Sequence, residues 1–117
     1  MKSSSAKNKG RFLQKLTRDL LLSLASHLEP EDILSTSMGC GGEDLKFSPA
    51  ARRAFSFDGR GISIECKNQE RLNVWASYDQ AAANAGDYEP VLVIKKNRVK
   101  HPLAVVRAEH YFRLLRQ

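Results

Sequence analysis

The stretch ISIECKNQERLNVW, residues 62–75, combines a strand that is apolar on one side with two opposite charges on its other side. Side chains alternate across a β-strand, so the two isoleucines and Cys66 share one face, and Glu65 and Lys67 share the opposite one. Two interpretations are open. The charges are either a solvated ion pair on an exposed strand, which contributes little stability, or the carboxylate and ammonium of a metal-dependent active site.

The composition is that of a single basic globular domain. The chain has 117 residues, of which 42% are hydrophobic and 27% charged, which allows one core of modest size. Its formal net charge of +6 favours a polyanionic partner, and nucleic acid is the commonest such partner.

The cysteines and the hydropathy pattern predict a cytoplasmic protein. Cys40 lies in a glycine-rich segment and Cys66 on the apolar side of the strand described above, and no Cys-x-x-Cys or Cys/His cluster accompanies them. We therefore expect two reduced thiols rather than a disulfide framework or a zinc site. No apolar run approaches the length of a membrane span, and the basic N-terminus is followed by an amphipathic segment rather than a signal-peptide core.

The order of the predicted elements indicates an α/β domain. The Ser/Lys-rich residues 1–8 are expected to be disordered, and residues 9–117 to form one domain. Apolar spacing and turn residues predict helices at 9–27, 49–55, 69–85 and 109–117, and strands at 33–39, 43–48, 62–68, 90–96 and 102–108. The order α-β-β-(α)-β-α-β-β-α implies a small mixed β-sheet flanked by helices. Trp75 and Tyr78 fit the apolar side of their helix and are expected in a core or an interface.

One constellation resembles a known family. Asp44 precedes a strand with the pattern Glu65-Cys66-Lys67, which a helix then follows. This pattern resembles the PD-(D/E)XK nuclease superfamily. The stretches TSMGCGGEDLKFSPAARRAF, SIECKNQERLNVWASYDQAAANAG and VLVIKKNR resemble small phage-encoded members that are likened to Holliday junction resolvases, and KGRFLQKL resembles the first helix of archaeal-type resolvases.

The resemblance implies a fold, a reaction and partners. It implies a restriction-endonuclease-like core and a homodimer that cleaves branched or structured DNA during DNA recombination, in the bacterial host cytoplasm if the chain is phage-encoded. It also implies Mg²⁺ as the cofactor, with Mn²⁺ as a substitute.

The same resemblance assigns roles to individual residues. Asp44, Glu65 and the backbone carbonyl of Cys66 are the implied metal ligands, and hard oxygen ligands are those that Mg²⁺ prefers. Lys67 would orient the attacking water or stabilise the anionic transition state. Gln14 takes the place of a glutamate that the first helix of resolvases usually supplies. Related nucleases often have a glutamine facing the cleft in the helix after the strand, and Gln80 is the residue in this position.

Basic residues form two candidate DNA-binding clusters and a weaker third one. They lie on the N-terminal arm and first helix, on the hairpin between the last two strands, and on the short helix: Lys9, Arg11, Lys15 and Arg18; Lys95, Lys96, Arg98 and Lys100; Arg52 and Arg53. No base-reading motif accompanies them, so contact with phosphates and recognition of branched shape are expected rather than sequence readout.

Three functions remain open at this point. The first is a Mg²⁺-dependent endodeoxyribonuclease. The second is a non-catalytic DNA-binding module that retains the nuclease fold, which the neutral Gln14 favours. The third is a basic protein-interaction domain.

Overall fold

A four-stranded mixed β-sheet with helices on both faces forms the body of the protein. The computed structural model describes residues 4–36 and 42–116. In chain order the elements are α1 (Ser4–Leu24), a short 3₁₀ turn (Pro30–Asp32), β1 (Ile33–Ser35), β2 (Leu45–Phe47), α2 (Pro49–Ala54), β3 (Ser56–Phe57), β4 (Arg60–Asn68), α3 (Val74–Ala85), β5 (Glu89–Lys95), β6 (Leu103–Val105) and α4 (Ala108–Leu115). The predicted α/β class, with a mixed sheet flanked by helices, is confirmed.

The sheet is organised around two parallel central strands. Its order is β3-β4-β5-β6, and β4 and β5 run parallel because α3 carries the chain back between them. The other two pairings are antiparallel, and β1 and β2 form a separate two-stranded antiparallel sheet. The β4–β5 register pairs Ile64 with Val91 and Cys66 with Val93, so their side chains line the same face.

The two faces of β4 are covered by different helices. On one face Leu13 of α1 packs with Ile64 and Cys66 in the main hydrophobic core. On the other face Asn84 of α3 reaches Glu65. The predicted alternation along β4 is therefore confirmed, but its charged face is covered by protein and is not an exposed surface of the sheet.

Several element boundaries differ from the prediction. Residues 4–8, predicted to be disordered, form the first turns of α1, where Asn68 holds the helix by donating to the carbonyl of Lys9. Helix α3 begins at Val74 rather than at residue 69, because Asn73 caps it by accepting a hydrogen bond from Ala76 N. Residues 37–39 of the predicted first strand, and Cys40, lie outside the described residues.

A tight turn places the start of β4. Asp58 and Gly59 have φ values of 53° and 77°, the left-handed region that a two-residue type I′ hairpin requires at both central positions. The turn pairs Phe57 with Arg60 and creates the short strand β3, which the sequence analysis did not predict.

Some apolar side chains face outward. Trp75 is 83% exposed, so it does not lie in the core, and the alternative of an interface stays a prediction; Tyr78 is half-buried. Helix α4 exposes Tyr111 and Phe112. Within the part of the chain that the structure describes, no helix is both long and apolar enough to cross a bilayer.

Candidate active site

The open edge of β4 positions Asp44. Strand β5 pairs with β4 along one edge, whereas β3 pairs with only the first residues of β4 along the other edge. Asp44 occupies this second edge beyond β3. Its amide donates to the carbonyl of Ile64 at 2.9 Å, and its carboxylate accepts from the amide of Cys66 at 2.7 Å. The aspartate is thus held by the same strand that carries Glu65, although the two residues are far apart in the sequence.

Neighbouring groups keep the Asp44 segment in place. The amide of Thr36 donates to the Asp44 carbonyl at 2.8 Å, and the Thr36 hydroxyl donates to the Glu43 carbonyl at 2.8 Å. The Glu43 carboxylate accepts from Arg52, so this carboxylate is directed away from the site. Asp44, and not the adjacent Glu43, is therefore the acid whose carboxylate is bonded to β4.

Glu65 is a buried carboxylate with weak compensation. It is 6% exposed, accepts a hydrogen bond from Asn84 Nδ2 at 3.1 Å, and its Oε2 lies 3.9 Å from Lys67 Nζ. Burial raises the pKa of the Glu65 carboxyl, and the nearby charge of Asp44 raises it further, against the opposing effects of Asn84 and Lys67. A bound cation would relieve this unfavourable pairing of two carboxylates.

A cavity of about 230 Å³ brings the predicted site residues together. It lies between the start of α1 and the end of β4. Its lining includes five residues to which the sequence analysis assigned catalytic or metal-binding roles: Gln14, Asp44, Glu65, Cys66 and Lys67. On α1 the small residues Ala6 and Gly10 lie at four-residue steps before Gln14, so they form one helical stripe that leaves space above the carboxylates.

Cys66 contributes its backbone rather than its thiol. Its amide points to the open edge, towards Asp44, and the carbonyl of a strand residue points to the same edge as its amide. The thiol is buried on the core side, where Sγ donates to Thr17 Oγ1 at 3.8 Å, and burial raises the pKa of Cys66 to about 12. The thiol is therefore neither a nucleophile nor a metal ligand at neutral pH.

The donor set fits a hard divalent cation. Among the described residues no cluster of three or more His, Cys, Asp or Glu side chains is present. Mg²⁺ does not require one, because it usually keeps several waters and is held by one or two carboxylates together with substrate phosphate oxygens. Asp44 and Glu65 supply two such carboxylates, and the Cys66 carbonyl supplies one further oxygen. The residues at this cavity thus match magnesium or manganese better than zinc, which favours nitrogen and sulfur ligands.

Gln80 is the predicted site residue that the structure does not bring to the cavity. Its side chain is exposed on α3, and it is not among the residues that line the cavity. Asn84, one helical turn later, makes the contact with Glu65 instead. Asn84 was not predicted as a site residue, although its position four residues after Gln80 puts both on the same face of the helix.

The two main basic clusters meet beside this cavity. Lys9 of α1 and Lys95 of β5 line an adjoining open groove of about 600 Å³, which shares Asn68 with the cavity. Most of the other residues of these two clusters that were predicted to contact DNA are exposed, namely Arg11, Lys15, Lys96, Arg98 and Lys100. Arg53 of α2 is exposed as well.

Two predicted DNA-binding arginines are used inside the fold. Arg18 donates to the backbone carbonyls of Ile33 and Pro30 and so ties α1 to the segment that follows it. Arg52 donates to the Glu43 carboxylate and, at 2.7 Å, to the carbonyl of Ile62, which satisfies the open edge of β4 next to Asp44. Their donors thus serve protein groups in this structure, and contact of these two arginines with DNA stays a prediction.

The chain has no match among protein-family models, curated proteins or solved structures. The resemblance to PD-(D/E)XK nucleases therefore depends on the residues of this sequence and on their geometry.

Proposed function

We propose that the chain is a Mg²⁺-dependent endodeoxyribonuclease with a restriction-endonuclease-like core, which hydrolyses phosphodiester bonds in branched or structured DNA. One observation carries the proposal. The Asp44 carboxylate is bonded to the strand that carries Glu65 and Lys67, and all three side chains line one cavity. A solvated ion pair on a surface strand would not need a second acid brought to it, nor would it be buried.

Each residue has a distinct task in this reaction. Asp44, Glu65 and the Cys66 carbonyl would hold the cation, which, when bound, activates a water and offsets charge on the phosphoryl oxygens. Lys67 is positioned to orient the attacking water or to stabilise the developing anion. Asn84 holds the Glu65 carboxylate in place through its hydrogen bond. Gln14, buried in the cavity wall, would contribute an amide that positions water without adding negative charge.

The basic surface beside the cavity favours a nucleic-acid substrate. Lys9 and Lys95 line the adjoining groove, and exposed basic residues continue along α1 and the β5–β6 turn. Neutralising several phosphates gives affinity that falls steeply with salt and carries no sequence preference. This matches recognition of a branched backbone better than recognition of a base sequence.

The decisive experiment is a cleavage panel. Labelled four-way junctions, perfect duplex and single strands are incubated with the protein and Mg²⁺ or Mn²⁺. We expect cleavage to fall by about 10²–10³-fold or more in both variants, since Asp44→Asn removes a charged metal ligand and Lys67→Ala removes a cation that would stabilise the anionic transition state. Asp79→Asn and Lys46→Ala remove exposed charges elsewhere and serve as matched controls. Cleavage that survives both site substitutions would contradict the assignment.

A non-catalytic DNA-binding module is the second candidate. The neutral Gln14 in the cavity wall favours it, because only two carboxylates then face a cation. Salt-sensitive binding of DNA without cleavage in either metal would support this module. A third candidate, a basic protein-interaction domain, would show no steep salt dependence of DNA affinity. The homodimer implied by the resemblance stays a prediction.

A further inference from the structure

The groove next to the candidate active site contains an exposed aromatic ring. We call it the Phe12 groove and define it by Lys9, Phe12, Asn68, Lys95 and Asn97. Asn68 also lines the candidate active-site cavity, so the groove adjoins the cavity. A DNA strand that leaves the cavity on this side would run along the groove, where the Phe12 ring is exposed.

Core packing does not explain Phe12. The neighbouring residue Leu13 is completely buried, whereas Phe12 keeps 55% of its surface exposed. The Lys95 ammonium lies 5.6 Å from the centre of the ring, and Lys9 lies one turn earlier on the same helix. An exposed aromatic ring in a groove that two lysines also line is the kind of surface by which single-stranded nucleic acid is commonly held.

The chemistry of the groove points to one ligand part in particular. A phosphate backbone would be attracted by the lysines, but it gains nothing from an aromatic ring. A nucleobase presents a flat face that stacks on such a ring, and the phosphates on either side of the base can then reach cations nearby. In a perfect duplex every base is already paired and stacked, so exposing one to Phe12 would cost free energy.

We propose that Phe12 stacks against an unpaired base of the DNA strand that runs through the groove, while Lys9 and Lys95 contact the flanking phosphates. Phe12 thereby selects substrates that have unpaired nucleotides beside the cavity, such as forks, flaps and open junctions. The inference rests on the proposed function in one respect, namely that DNA is the ligand of this surface.

The test measures binding without cleavage. In a Glu65→Gln background with EDTA, affinities are compared for a splayed fork, a single strand and a perfect duplex of the same sequence. Phe12→Leu keeps an apolar side chain that suits a helix but removes the ring. We expect it to weaken binding of the fork and the single strand by roughly 5- to 150-fold, the usual effect of losing one base stack, and to change duplex binding by less than about twofold.

Two further variants separate stacking from a structural role. Phe12→Tyr retains the ring and should restore binding, and Phe112→Leu removes an aromatic ring that is exposed on α4 outside the groove and should have no effect. A 5-iodouracil placed in the unpaired strand should form a photocrosslink to residue 12 in the protein that retains Phe12.

The outcomes distinguish this inference from the proposed nuclease activity. Selective loss with unpaired substrates supports it even if the wild-type protein cleaves nothing with Mg²⁺. The inference would be overturned if Phe12→Leu weakened the affinity equally for all three probes, if it weakened none of them, or if the protein bound no DNA at all. Cleavage by the Phe12→Leu protein would leave the nuclease proposal intact.

Discussion

Two buried glutamates in neighbouring strands of the sheet are treated in opposite ways. Glu89, at the start of β5, is 1% exposed and accepts hydrogen bonds from Arg60 at 2.7 Å and from Arg107 at 2.9 Å and 3.1 Å. Glu65, on β4, is 6% exposed but faces one ammonium at 3.9 Å, and it is close enough to Asp44 for the two charges to interact.

The difference separates a structural carboxylate from a candidate functional one. Glu89 is neutralised by two guanidinium groups, and this cluster joins the first residues of β4 and β5 to the start of α4, where the His110 ring contacts Phe57 with the centres 4.0 Å apart. Burial and the nearby Asp44 make the charge of Glu65 unfavourable, and under the proposed function a bound cation would offset this cost. Proteins retain such unfavourable groups mainly where function uses them. The comparison therefore predicts opposite results when each acid is neutralised.

The largest expected effect follows from removing the charge of Glu89. Glu89→Gln leaves Arg60 and Arg107 without their carboxylate, and we expect a loss of about 2–4 kcal/mol in the free energy of unfolding. This lies at or below the usual cost of breaking a buried pair, because both arginines are half-exposed. Urea unfolding measures it, with the exposed Glu109→Gln as control. A neutral result would remove the distinction between the two glutamates.

A similar contrast between inward and outward charges applies to two adjacent arginines. Arg52 lies between the rings of Phe47 and Tyr88, at 5.2 Å and 4.0 Å from their centres, and bonds to Glu43. Arg52→Ala should cost about 2–3 kcal/mol, because it leaves Glu43 and an edge carbonyl without their donor. Arg53→Ala, on the exposed side of α2, should change stability by less than about 0.5 kcal/mol. Thermal unfolding of both variants measures the difference, and equal stabilities would contradict the structural role of Arg52.

The smallest expected effect has the opposite sign. Glu65→Gln removes a buried charge and its repulsion with Asp44 while keeping an oxygen for Asn84, so we expect the protein to gain roughly 0.5–2 kcal/mol at neutral pH. Addition of Mg²⁺ should raise the melting temperature of the wild type but not of this variant. Calorimetry with and without the metal measures both.

The direction of the pKa shift of Glu65 determines how the stability difference between the wild type and Glu65→Gln depends on pH. The pKa of Glu65 is higher in the folded protein than in the unfolded chain. At a pH between these two pKa values, Glu65 is therefore protonated in a larger fraction of the folded molecules than of the unfolded ones. The penalty from Glu65 is therefore present above the folded pKa and is lost as pH falls through that window. The advantage of Glu65→Gln should shrink in the same window. A variant less stable at every pH would show that Glu65 is structural, as Glu89 is.

Much of the backbone could be predicted because its causes are local. Alternation along residues 62–68, the helical spacing in α1 and the Asp58-Gly59 turn signal each depend on residues adjacent in sequence. The strand β3 was missed because two residues form no recognisable pattern of their own. The pairing of Asp44 with Glu65 came from a resemblance and not from periodicity, since nothing local links the two residues.

The sequence alone determined the order of the elements apart from the short strand β3, the face of β4 that enters the core and the excess of positive charge, because each of these follows from neighbouring residues or from composition. Only the tertiary structure decided which charges are compensated. Arg52 and Arg107 look like any surface arginine in the sequence, and Asn84 is as plausible as Gln80. Their roles depend on contacts between distant segments, and the free energy of a buried charge is set by the few groups that folding brings within hydrogen-bonding distance of it.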